Sequence, residues 1–194
     1  MCGETHATVG VASAVMILQP KTMEELLLIS LVGGAAGIIP DIDIKDSKAR
    51  IQYYRGVKCF AVFLVFITAI GRITPIKIIS SASIHAKIFG ICLFLSVCFV
   101  AILTKHRTFT HSIVGLLTFS LSVYLIDPYA WKIFAVGMSA HLFLDLTTKS
   151  GIPLFYPLRK EYSFRIGRTG DLLDTICGFA GSVVVIYYIS TRFL

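Results

Sequence analysis

The stretch KHRTFTHSIVGLLTFSLSVYLI, residues 105–126, joins a polar, basic turn directly to an apolar run. His106 and His111 stand five positions apart in the polar part, Arg107 follows His106, and the whole chain contains only five histidines. The apolar part, Ser112 to Ile126, has the composition of a helix that lies in a lipid bilayer. The stretch therefore predicts a membrane helix with candidate metal ligands at its entrance.

The apolar character of this stretch extends over the chain. Of the 194 residues, 56% are hydrophobic and 15% are charged, which leaves too few polar residues to cover a soluble domain of this length. The apolar runs are Ala7–Leu18, Glu24–Ile39, Val57–Ile70, Ile88–Leu103, Ser112–Ile126, Tyr129–Leu146 and Leu172–Ser190. We therefore predict an all-α, polytopic transmembrane bundle of about seven helices (six to seven), forming one domain over residues 1–194.

The charge distribution predicts how this bundle lies in the membrane. A net charge of +7 would suggest nucleic acid as the partner of a soluble protein, but here the Lys and Arg residues fall in loops, where they set orientation and meet anionic lipid. With the N-terminus in the cytoplasm, twelve of them lie on the cytoplasmic side and six on the other. This bias favours a cytoplasmic N-terminus.

Histidine and aspartate residues recur at the helix ends. With seven spans, eight of them fall at one membrane face, and with a cytoplasmic N-terminus that face is the cytoplasmic one. They are His6, Asp41, Asp43, His106, His111, His141, Asp145 and Asp174. Ionisable residues at membrane depth are costly and mark functional sites, so this grouping predicts a metal centre.

The spacing of these residues indicates which of them can bind the same ion. His141 and Asp145, four apart, share one face of a helix. Asp41 and Asp43 follow Pro40, and we predict a loop or strand-like turn there, in which alternate side chains point the same way. A plain helix-ending turn is the alternative for this pair.

The donor atoms of these eight residues limit which metal ions can bind. Imidazole and carboxylate donors without a thiolate suit zinc, manganese or iron, and eight ligands fit two or three ions. Paired metal ions are a common device for hydrolysing phosphate esters. Arg107, Lys149, Arg165 and Arg168 are candidate binders of a substrate phosphate.

Taken in order, His6, PDID (40–43), HRTFTHS (106–112), HLFLD (141–145) and GIPLFYP (151–157) resemble the YdjM-like family of bacterial inner-membrane proteins, which is labelled membrane-bound metal-dependent hydrolase. Asp174 matches the acidic residue that usually opens the family's last helix. This family is distantly related to zinc-dependent phospholipase C and the single-strand-specific nucleases, which implies a phosphoester substrate and a cluster of zinc ions. Those soluble enzymes use the N-terminal amine as a ligand, whereas four residues separate Met1 from His6 here, which favours two ions over three.

These arguments lead to one interpretation and three alternatives. We predict an inner-membrane, multi-pass hydrolase that uses two zinc ions and metal-activated water on a phospholipid or lipid-linked phosphate. Asp41 or Asp145 would act as general base or bridging ligand, Arg107 would hold phosphate, and Thr110 and Ser112 would support the ligands. A metal transporter or sensor, a nuclease-like phosphodiesterase and a protein whose metal only holds the helices together are the alternatives.

Overall fold

The computed structural model describes residues 1–43, 84–103 and 107–194, and for residues 42–43 and 102–103 it describes the backbone alone. These residues form six α-helices, α1 (Gly3–Leu18), α2 (Met23–Ile38), α3 (Ile84–Leu103), α4 (Ile113–Ile126), α5 (Ala130–Thr147) and α6 (Leu172–Arg192), and one short 3₁₀ helix, Ile39–Asp43. The same ranges contain no extended strand, only two isolated bridges, Thr148 with Gly167 and Ile152 with Tyr162. The predicted all-α class is confirmed.

The helices follow the apolar runs and begin at polar caps. The side chains of Thr22, Ser112 and Asp171 accept hydrogen bonds from backbone N–H groups in the first turns of α2, α4 and α6. The runs predicted to begin at Ala7 and Ile88 each start four residues earlier in the structure, because flanking polar residues join the first turn. The predicted helix over 57–70 lies outside the described residues.

The segment after α2 differs from the prediction. Residues Ile39–Asp43 form a 3₁₀ helix rather than a loop or strand-like turn, so the prediction for this segment was wrong. Pro40 stands in the first turn of that helix, where its missing N–H has no partner to lose and its fixed φ suits a helix. The chain therefore continues helically as far as Asp43, and Asp41 is carried on a rigid turn.

Three helices make up the centre of the bundle. α1 packs against α2, α5 and α6, while α2 also packs against α5, and α4 connects α3 to α5. Val15, Ile29, Ile133 and Met138 are fully buried between the central helices. At the opposite end of α6 from its start, the Tyr188 hydroxyl donates to the carbonyl of Pro20 at 2.9 Å, which ties α6 to the turn between α1 and α2.

The outer surface of the bundle is apolar. Large side chains such as Leu27, Phe99, Phe179 and Ile186 point outward and are exposed. Among the described residues, three segments are long and apolar enough to cross a membrane: Met23–Asp41, Ile84–Ala101 and Leu172–Arg192. Exposure of this surface to water is unfavourable, whereas contact with bilayer hydrocarbon is not.

Candidate metal centre

One end of the bundle collects four His and Asp residues from three segments of the chain. Asp41 comes from the 3₁₀ helix, His111 from the turn before α4, and His141 and Asp145 from the last two turns of α5. One donor atom from each of these four residues lies within 4.8 Å of the other three. His111, His141 and Asp145 are fully buried, so the cluster is held inside the bundle and not on its surface.

The distances between the donor atoms are those of a ligand set. Nε2 of His111 lies 3.2 Å from Nε2 of His141, 3.3 Å from Oδ1 of Asp41 and 3.4 Å from Oδ2 of Asp145. Nε2 of His141 lies 3.7 Å from Oδ2 of Asp145 and 3.9 Å from Oδ1 of Asp41. Donors bound tetrahedrally to one zinc ion are separated by roughly 3.3–3.5 Å. The cluster could therefore hold a divalent metal ion with little movement.

The backbone of α2 fixes the orientation of His141. Its Nδ1 lies 2.7 Å from the carbonyl oxygen of Gly37. A carbonyl only accepts hydrogen bonds, so Nδ1 donates, and the neutral ring presents the lone pair of Nε2 to the cluster. Metal-bound histidines are commonly held in this way by a carbonyl or carboxylate behind the ring.

The hydroxyl of Thr110 fixes the orientation of His111. Its Oγ1 lies 2.9 Å from Nδ1 of His111, and both residues are fully buried. Ser112 has a different role from the predicted one, since its Oγ accepts from the N–H of Gly115 and donates to the carbonyl of Phe109. Thr110 thus orients a candidate ligand, and Ser112 begins α4.

Replacing Thr110 with valine is expected to weaken metal binding roughly 10–100-fold, the usual effect of losing a hydrogen bond behind a ligand. The Thr118→Val variant is the matched control. The Thr118 hydroxyl donates to the carbonyl of Val114 on the exposed side of α4, away from the cluster. Titration against a chelating indicator measures both affinities. Equal affinities in the two variants would show that Thr110 does not support the site.

The second oxygen of Asp145 faces a different set of groups. Oδ1 lies 2.9 Å from the N-terminal amine of Met1, which is buried, and 3.3 Å from Nε2 of His6. The His6 ring stacks on the His141 ring with centroids 3.8 Å apart. Within the described part of the chain, neither nitrogen of the buried His6 ring has a hydrogen-bond partner. An unsatisfied imidazole beside a carboxylate is an available metal ligand.

Arg107 lies at the edge of this site. Its Nη2 is 3.6 Å from Oδ2 of Asp145, and its side chain is 22% exposed, so the guanidinium connects the buried carboxylate with the outside. The backbone of Arg107 is left-handed, with φ at 58°, which costs a non-glycine residue about 1 kcal/mol or more. Such strain is common at functional sites.

The remaining predicted site residues lie as follows. Asp174 lies in the first turn of α6, outside the four-residue cluster, and its Oδ2 accepts from the N–H groups of Cys2 and Gly170 at 2.9 and 2.7 Å. Lys149, Arg165 and Arg168 are exposed in the loop after α5, where the N–H of Lys149 donates to the carbonyl of Gly167. His106 and the side chain of Asp43 lie outside the described residues.

Asp171 stands beside this set as a helix cap. Backbone N–H groups of Arg168 and Asp174 donate to its carboxylate, and these bonds hold the pKa of the Asp171 carboxyl below its usual value. Asp171 therefore caps the N-terminus of α6.

Two groups at the site were not identified from the sequence. The carbonyl of Gly37 is a backbone group, and the sequence carries no signal for its contact with His141. The amine of Met1 lies at the site because the first turn of α1 brings it back to Asp145, and α1 is longer than its apolar run.

Comparisons with known proteins agree with the membrane character of the chain. A family model described as YdjM inner membrane protein matches residues 1–193. The uncharacterized protein YvsG of Bacillus subtilis (strain 168) is 30% identical over 161 residues, which cover 81% of this chain and 74% of the relative. The inner membrane protein YdjM of Escherichia coli (strain K12) is 34% identical over 68 residues, 31% of this chain and 35% of the relative. No solved structure matches the chain.

Proposed function

The chain belongs to the family described as YdjM inner membrane protein, and from that premise we propose that it is a membrane-bound, metal-dependent hydrolase of a lipid phosphoester. The observation that carries the proposal is the convergence of Asp41, His111, His141 and Asp145 at one end of an apolar bundle, with Arg107 beside them. In this proposal the metal site and Arg107, which would bind phosphate, lie at the depth of the lipid headgroups.

We assign zinc as the metal and two as the number of ions. The four-residue cluster would hold one ion, and His6 with the other oxygen of Asp145 would contribute to the second, with Asp43, His106 and Asp174 as further candidate ligands. Support for the second ion comes from Asp145, whose Oδ2 faces His111 and His141 while Oδ1 faces His6. The donor chemistry, imidazole and carboxylate, suits zinc.

The residues around the metal supply the rest of the reaction. When bound, such ions stabilise charge on phosphoryl oxygens and make water a stronger nucleophile. The oxygen of water joins phosphorus, the phosphoester bond breaks, and the departing alcohol takes a proton. Asp41 is the best placed proton acceptor, because its side chain is 15% exposed, whereas the other three cluster residues are at most 1% exposed.

The cations near the site fit a phosphate-bearing lipid. Arg107 would hold the phosphate undergoing hydrolysis, and Lys149, Arg165 and Arg168 would attract the anionic headgroup from the exposed loop after α5. We propose a multi-pass arrangement in the inner membrane, with the N-terminus and the site on the cytoplasmic side. Among the described residues the metal-ligating groups form a single cluster at one end, which favours an enzyme over a transporter with ligands along its path.

The proposal predicts the effect of changing Arg107. Metal-loaded protein in detergent–lipid micelles should release phosphate or a phosphorylated headgroup from phosphatidylglycerol, phosphatidic acid or a lipid-linked diphosphate. Arg107→Ala should lower kcat/KM about 10²–10³-fold while metal content stays unchanged, because one charged donor to the transition state is lost. Arg107→Lys should recover part of the rate.

The control is Lys132→Ala, which removes an exposed cation at the opposite end of α5 and should leave the rate unchanged. Release from none of these lipids by metal-loaded protein would contradict the proposal. Cleavage of single-stranded DNA alone would favour the nuclease alternative, and metal uptake into sealed vesicles without hydrolysis would favour the transporter.

A further inference from the structure

An apolar groove runs along the outside of the bundle between α1 and α5. Its walls include Val9, Ser13 and Ile17 of α1 and Val136, Ser139 and Phe143 of α5. The groove is open to the outside and has a volume of about 440 Å³. On α1 the lining residues are four apart, so they form one stripe on the side away from the buried Ala14 and Val15. The two serines keep the groove open because they are small, and the remaining walls are hydrocarbon.

The groove ends beside the metal centre. His6 lies in the first turn of α1 and His141 in the last two turns of α5, so the two helices are antiparallel here, and the rings of His6 and His141 stack at this end. From Val9 to Ile17 the groove extends roughly 12 Å away from that level, at 1.5 Å per helical residue. A chain lying in the groove would therefore have its polar end at the candidate metal centre.

A basic loop lies beside the same end of the groove. The ring of Phe143, which is 60% exposed, lies 6.5 Å from the ring of Phe164 in the loop after α5. The N–H of Phe164 donates to the carbonyl of Leu146 at 2.7 Å, and the N–H of the exposed Arg165 donates to Oγ of Ser163. The loop is thus fastened to the end of α5, and the exposed Arg165 follows Phe164 near this end of the groove.

We infer that the α1–α5 groove binds one acyl chain of an anionic phospholipid and thereby presents its phosphate to the metal centre. The inference rests on the proposed function and names its substrate class. Three observations favour this occupant: the walls are apolar, they face outward where bilayer hydrocarbon is the surrounding medium, and Phe164, which lies near Phe143 at one end of the groove, is followed by Arg165 in a loop that also carries Lys149 and Arg168.

Photolabelling tests the inference without requiring turnover. The probe is phosphatidylglycerol with a diazirine near the end of one acyl chain, in nanodiscs that hold the full-length protein. Labels should concentrate on the groove residues of α1 and α5. Ser139→Leu, which fills the groove, should lower this labelling roughly tenfold, because acyl methylenes lose their contacts with the protein.

Two further variants make the result specific. Ser96→Leu is the matched control, since Ser96 is an exposed serine on α3, away from the groove, and its labelling should equal that of the wild type. Arg165→Gln should lower labelling by phosphatidylglycerol more than labelling by phosphatidylcholine with the same acyl chain. Unchanged metal content in all variants excludes misfolding.

Two outcomes would overturn the inference. They are labels spread evenly over the outer helix faces, or equal labelling in Ser139→Leu and Ser96→Leu. The proposed function fails separately. Groove labelling without phosphate release from any lipid would refute hydrolysis but support lipid binding in the groove. Phosphate release without groove labelling would refute only the binding of an acyl chain in the groove.

Discussion

Replacing Asp145 with asparagine is expected to abolish metal binding and to destabilise the bundle. The two carboxylate oxygens lie within 2.9–3.7 Å of nitrogen atoms of five residues, which are Met1, His6, Arg107, His111 and His141. Asparagine has a similar shape but no charge, and its NH₂ group would face either the Met1 amine or the Arg107 guanidinium, which are both donors. Breaking one partner of a buried ion pair costs ~3–5 kcal/mol, so both metal content and the unfolding midpoint in detergent should fall.

The Asp127→Asn variant is the control for this result. Asp127 lies before α5 at the opposite end of the helix, and its Oδ1 accepts from the N–H groups of Tyr129 and Ala130 at 2.7 and 2.8 Å. Asparagine keeps an acceptor oxygen at this position, so the change should leave stability nearly unchanged and the metal in place. A full complement of metal in Asp145→Asn, measured by elemental analysis, would remove Asp145 from the ligand set.

The helices and the common level of the candidate ligands could be predicted from the sequence. Apolar runs determine where helices lie in a membrane, and alternating spans bring every second helix end to the same face. His6, Asp41, His111, His141 and Asp145 stand at such ends, so their grouping required only the order of the runs. The i, i+4 spacing of His141 and Asp145 likewise follows from helical periodicity.

The finer features depend on contacts between distant segments. The 3₁₀ helix at Pro40 results from a balance between a break in α2 and continued helical winding, and a proline in the sequence is compatible with both. The Asp174 carboxylate accepts the N–H of Cys2, 172 residues away in the chain. No local pattern encodes such a partner, because it depends on how α1 packs against α6.

Gly37 illustrates how such packing controls the site. A Cβ at this position would collide with the backbone carbonyl of His6, so α1 and α2 approach each other with no room for a side chain. The carbonyl of the same residue accepts the hydrogen bond from His141. One backbone position therefore sets the location of one histidine and the orientation of another.

Replacing Gly37 with alanine is accordingly expected to remove most of the metal affinity. The added methyl group would push the first turn of α1 outward, moving His6 away from Asp145, and would disturb the carbonyl that orients His141. Overpacking of this kind costs about 1–3 kcal/mol, which should also appear as a lower unfolding midpoint in detergent. Metal titration and thermal unfolding followed by circular dichroism measure the two effects.

Gly34→Ala provides the matched comparison on the same helix. A Cβ at Gly34 would lie 3.3 Å from Cγ2 of Val11, a side-chain atom that can yield by a few tenths of an ångström, and it would avoid the backbone of α1 apart from a contact of 4.0 Å with the Ala7 carbonyl. Alanine also favours the helix by up to ~1 kcal/mol over glycine, so stability should be retained or increased, with full metal binding. If both variants bound metal equally well, the close approach at Gly37 would have no part in positioning the histidines, and the metal centre would depend on side-chain contacts alone.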